Sequence, residues 1–108
     1  MHCIELENTR PSCEGVVLWF LREYLPNEFF FLVVEEKDLS EEGVFGWCMR
    51  ETQNEFLIQL HSGLEDEYES VLIHEMLHMM WYFKGVTQDE ERCLREEVSV
   101  YKEYLQRG

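Results

Sequence analysis

Residues 71–83 are the most apolar run in the chain, and three ionisable side chains interrupt it: His74, Glu75 and His78. Val71, Leu72 and Ile73 precede them, Met76 and Leu77 lie between, and Met79, Met80, Trp81, Tyr82 and Phe83 follow. A helix that is apolar on every side has to be buried. Two imidazoles and a carboxylate buried without partners are costly, so such groups are paired or hold a metal. Residues i and i+4 share a helix face, so His74 and His78 can address one ion. Glu75 lies next to that face and can reach a water beside the ion. This is the HExxH spacing, in which two histidines bind zinc and the glutamate acts as general base.

The other elements have to wall this helix in. A length of 108 residues is one domain, 1–108, with one modest core. Apolar content of 45% and aromatic content of 14% argue for a folded chain. Residues 1–10 are weakly patterned; they hold Glu5 and Glu7 and no apolar stretch, so no secretory signal is expected there. Thr9 or Ser12 can cap a first helix, with Pro11 tolerated in its first turn. Val17, Phe20, Leu21 and Tyr24 give that helix an apolar stripe, and it stops before Pro26.

Residues 29–34 read as a buried strand rich in Phe and Val. Residues 35–43 read as a polar connection. In residues 44–50, Phe45, Trp47 and Met49 fall on one side. A turn follows over 51–54, then a strand over 56–61 with Phe56, Ile58 and Leu60 on one face, so the two strands form a hairpin. Acidic residues 65–69 open the central helix, where acids suit the helix dipole. Gly85 caps its end. Thr87 to Glu90 reads as a capping box for a last helix striped by Leu94, Val98, Tyr101 and Leu105. The expected fold is α+β: an N-terminal helix, a three-stranded sheet, the buried site helix and a C-terminal helix.

Charge and cysteines restrict partners and compartment. The net charge is −14, from 23 acidic and 9 basic residues. Such a chain repels nucleic-acid phosphates and anionic lipid. No stretch of about 18 apolar residues is available to span a membrane. The expected partner is a peptide or protein, of basic character if the charge selects it, and the chain is expected to be a monomer. The competing expectations are a non-catalytic acidic binding protein, as a nucleic-acid mimic or inhibitor, and an inactive fold in which zinc is only structural. Cys3, Cys13, Cys48 and Cys93 have no metal-type spacing and read as free thiols of a cytoplasmic protein.

Zinc with two histidines needs a third protein ligand. No histidine follows His78; His2 and His61 lie upstream. The last two helices are joined by a short turn and pack antiparallel. Reflection about Val86 brings residues 94–98 level with His74 and His78. With Leu94, Val98, Tyr101 and Leu105 facing inward, Glu97 lies on the inner edge and Glu96 points away. Glu91 has the right phase but comes too early. Cys93 suits zinc as a soft ligand but reads as a small buried side chain. Tyr101 and Tyr104 carry hydroxyls that can assist catalysis or pack in the core; Tyr101 has the better phase.

His74, Glu75 and His78, followed by Glu97 one helix later, resemble the gluzincin branch of the zinc metallopeptidases. Size and element order are similar to the minigluzincins and to the ImmA/IrrE-type peptidase core, in which a Glu-Ala step stands where Glu97-Val98 stands here. The resemblance covers residues 44–105. It implies zinc held by His74, His78 and Glu97, with Glu75 as general base and acid. It also implies that the strand containing Phe56, Ile58 and Leu60 aligns an extended substrate by β-addition. The downstream third histidine usual in SprT-like proteases and the Gly and His of the metzincin extension are absent.

Overall fold

The computed structural model describes residues 2–107; Met1 and Gly108, the ends of the expected domain, lie outside them. In chain order the elements are β1 (His2–Glu7), α1 (Ser12–Tyr24), β2 (Phe30–Lys37), β3 (Gly46–Thr52), β4 (Glu55–His61), α2 (Tyr68–Lys84) and α3 (Glu90–Leu105). They make one α+β domain with a four-stranded sheet in the order β1-β2-β4-β3. β1 and β4 both run parallel to β2, and β3 pairs antiparallel with β4 as a hairpin.

The fourth strand is a correction to the sequence reading, which has three. Among the β1 side chains described, Ile4 and Leu6 turn to the core, while Cys3, Glu5 and Glu7 are exposed. Two inward residues are too few for the period-two signal to stand out. The strand is recruited by β2, which hydrogen-bonds it along its whole length. β2 also continues three residues beyond the expected strand, into the predicted polar connection. Glu36 can turn inward there because Arg10 pairs with it at 3.0 Å and the Tyr68 hydroxyl donates to it at 3.2 Å. A buried carboxylate is tolerated when it is so paired.

Even-numbered strand residues face the helices. Phe30, Leu32 and Val34 on β2 and Phe56, Ile58 and Leu60 on β4 are all buried against α1 and α2 residues such as Phe20, Leu72 and Met76. α2 is therefore the central pillar, with ten of its residues buried, His74 and Glu75 among them. It ends where Gly85 adopts a left-handed conformation at φ 72° and donates back to the Trp81 and Tyr82 carbonyls, a conformation that glycine reaches without penalty.

α3 differs from expectation in start and in phase. Its cap is Asp89, whose side chain accepts from the Arg92 N–H at 3.1 Å, and Thr87 is an exposed coil residue before it. Its inward stripe is Cys93, Glu97, Val100 and Tyr104, whereas Leu94, Val98 and Leu105 are 53%, 65% and 59% exposed. The two stripes are one residue, about 100°, apart. The buried one wins because it lets Glu97 meet His74.

Candidate metal centre

Helix geometry brings the two imidazoles of α2 together as the i,i+4 spacing requires, with their Nε2 atoms 3.2 Å apart. The other ring nitrogen of each is held. His74 Nδ1 lies 2.8 Å from Glu97 Oε1. His78 Nδ1 lies 2.5 Å from Gln88 Oε1, and the same Gln88 donates its amide N–H to the His78 carbonyl at 3.3 Å. That second bond fixes which way the Gln88 amide points, so its oxygen faces the ring. Both Nδ1 atoms are therefore the N–H donors. A neutral imidazole has one N–H and one lone pair, so both Nε2 atoms present lone pairs.

Glu90 closes the group. Its Oε1 lies 2.7 Å from His74 Nε2 and its Oε2 lies 3.0 Å from His78 Nε2. Two nitrogen lone pairs and a carboxylate thus converge with no donor among them, an arrangement that a cation, whether proton or metal, satisfies. Ligands about 2.0–2.1 Å from a tetrahedral zinc lie about 3.3 Å apart, close to the 3.2 Å between the two nitrogens. The donor set suits zinc in number and chemistry. Histidines oriented through Nδ1 by a carboxylate or an amide are the usual outer shell of such sites.

The expected third ligand, Glu97, is on the inward face of α3 but meets His74 at Nδ1, the nitrogen turned away from His78. Cys93 also approaches: its sulfur and the ring nitrogens lie within 4.8 Å of one another, and the three residues could hold a metal. Its thiol, however, is fully buried and donates to the His74 carbonyl at 3.5 Å. Burial, reinforced by Glu90, pushes the Cys93 thiol up to about 12. Glu90 faces the nitrogens more closely than Cys93 does.

Glu75 is 6% exposed. Burial raises its carboxyl to about 7, partly offset by His74 and His78. A cleft runs above it between α3 and β3, with two lobes. One, about 430 Å³, is walled by Val44, Phe45, Val71, Leu94 and Glu97. The other, about 380 Å³, is walled by Trp47, Cys48, His78, Tyr82 and Gln88. His74, Glu75 and Glu90 line both, so the cluster sits where the lobes meet. A depression of about 460 Å³ between α1 and the end of α3 is larger, but Arg22, Arg107, Glu23 and Glu103 line it and balance one another in charge.

Two expectations are corrected. Tyr101 does not reach the cluster: its hydroxyl donates to Glu69 at 3.3 Å, because the true phase of α3 turns it towards the start of α2. Phe56, Ile58 and Leu60 cannot contact a substrate, since they are 2%, 0% and 0% exposed. Nor can β4 add a strand, with β2 on one edge and β3 on the other. The edge strand at the cleft is β3. Gln88 and Glu90 are the residues that the sequence reading passed over; both follow the tight Gly85 turn, which sends the chain straight back along α2. Neither a protein-family model, nor a curated protein, nor a solved structure matches the chain. No helix among the described residues is long and apolar enough to cross a membrane.

Proposed function

We propose that the chain is a zinc-dependent peptidase of zincin type, with His74, His78 and Glu90 as metal ligands and Glu75 as general base and acid. One observation carries this: two imidazole lone pairs and a carboxylate converge beside a buried glutamate at the centre of a two-lobed cleft. Zinc bound there would act as a Lewis acid on a carbonyl and on water. Glu75 would take the proton from an attacking water and return it to the departing amine. Its pKa near 7 applies without a cation; a dication beside it would lower the value and keep it ready as a base. Glu97 and Gln88 would hold the two rings in the required tautomer.

The free edge of β3 borders both lobes, so an extended peptide would pair with β3 and pass across the cluster. Glu67, Glu90 and Glu97 around one lobe favour a basic peptide. The four free cysteines fit a reducing compartment such as the cytoplasm. The rival reading, a non-catalytic acidic binding protein, draws on the net charge of −14. Metal analysis joined to a peptidase assay separates the two. The peptidase reading expects about one zinc per chain and hydrolysis that Glu75→Gln abolishes without loss of metal. A Glu75→Gln protein as active as wild type removes Glu75 from the chemistry. Wild type with bound zinc and no turnover on a peptide library leaves the binding-protein reading.

A further inference from the structure

The helices cover one face of the sheet, and the other face is bare and partly apolar. Odd-numbered strand residues point there. Val33, Leu57 and Met49 stand side by side across β2, β4 and β3 in direct register, all part-exposed. Phe31 is 44% exposed one step away, and its ring meets Phe29, 49% exposed, at 5.5 Å. At the other end Trp47 donates its indole N–H to Gln59 at 2.5 Å, and Gln59 donates to Glu35 at 2.7 Å. A sheet face left to water alternates to polar residues; here Val33, Leu57 and Met49 instead make one apolar row across three strands, with Phe31 and Trp47 beside it. Contiguous patches of this kind mark interaction sites more often than isolated exposed residues do.

We propose that this face docks a cationic amphipathic helix of another protein. The rim supplies the charge argument. Glu5 stands beside Val33, Glu55 beside Phe31, and Glu7 beside Glu35; on β2 only Lys37 opposes them in sign. A second copy would bring the same glutamates against these, and like charges facing across an interface are repelled. A partner with Lys or Arg flanking an apolar stripe meets the patch with its stripe and the rim with its charges. A helix is the element that layers onto a sheet face. Its width of about 10 Å spans two strand spacings of about 4.8 Å, so it covers the Val33–Leu57–Met49 row. A depression of about 220 Å³ between β1 and β2, walled by Cys3, Glu5, Phe31 and Val33, takes one of its apolar side chains.

The test uses the whole protein and two labelled helical peptides of about 18 residues, five turns. Both carry leucines at i, i+3, i+4 and i+7; one is flanked by lysines and the other by glutamates. Fluorescence anisotropy at physiological ionic strength should show binding of the lysine peptide alone. Phe31→Ser should weaken it about tenfold or more, and Glu5→Lys with Glu55→Lys should shift preference towards the glutamate peptide, roughly 1.4 kcal/mol for each tenfold. Hydrogen exchange should slow on β2 and β4 when the lysine peptide binds. Far-UV circular dichroism confirms that each variant is folded. A footprint on the His74 cleft or on α3, or affinities that neither Phe31→Ser nor the charge reversal moves, overturns the proposal. So does sedimentation showing a dimer that Phe31→Ser dissociates, which would make the occupant a second copy.

Discussion

On the proposed zinc site, truncating Glu90 and Glu97 one at a time decides which carboxylate is a ligand. Zinc bound by small domains contributes about 10–16 kcal/mol, so each of three or four donors accounts for roughly 3–4 kcal/mol, about two to three orders of magnitude in affinity. Glu90 touches both Nε2 atoms, and Glu90→Ala should lose that full amount. Glu97 touches only His74 Nδ1. Glu97→Ala should cost about 10–100-fold, the usual effect of removing an outer-shell partner. Glu97→Gln keeps an acceptor oxygen and should recover much of that loss, whereas Glu90→Gln should not recover. Competitive titration with a chromophoric chelator reads the affinities. Cobalt substitution reads the ligand set: the visible bands should change in Glu90→Ala and keep their shape in Glu97→Gln and Cys93→Ser. If Glu97→Ala loses more affinity than Glu90→Ala, the ring orientation drawn above is wrong and Glu97 is the ligand. A thiolate charge-transfer band that disappears in Cys93→Ser would instead place sulfur on the metal.

Stability tests the scaffold around the site. Phe56→Ala should cost about 3–5 kcal/mol in urea unfolding, because the ring is 2% exposed and packs on Phe30 and Phe83; a loss under 1 kcal/mol would mean that β4 is not central. Asp89→Ala should cost about 1 kcal/mol and Thr87→Ala almost nothing, and the reverse order would restore the cap at Thr87. Gly85→Ala should cost about 1 kcal/mol from its positive φ, since no neighbour would clash with the added methyl; an unchanged melting temperature would show that the turn can relax.

The helices were legible because each has a plain physical signature. The α1 stripe stops before Pro26, the apolar run names α2, and Gly85 ends it where a left-handed residue is needed. The histidine pair followed from spacing alone. The partners of that pair were harder. α3 carries two stripes one residue apart, and the more hydrophobic one is the exposed one. Hydrophobicity alone selects Leu94, Val98 and Leu105, while the buried stripe is chosen by the fit of Glu97 and the small Cys93 beneath α2. Gln88 and Glu90 look like ordinary capping residues until the turn geometry lays them over His78. Strand order was not legible: nothing local in Phe56, Ile58 and Leu60 says that β2 pairs parallel with them, yet that pairing takes β4 off the edge.

The histidine cluster is assembled from residues close together in the chain. Its contacts span separations of 4, 10, 12, 16 and 23 residues, all within two consecutive helices and the turn joining them. The Arg10–Glu36 link, from the β1–α1 connection to β2, spans 26 residues and encloses the whole of α1. Short loops close at lower entropic cost and sooner than long ones. The helical hairpin can therefore gather its donors while the sheet is still unformed. A cation captured at that moment would act as a folding nucleus, raising the rate of folding far more than slowing unfolding. A clamp placed between β1 and β2 could only do the latter.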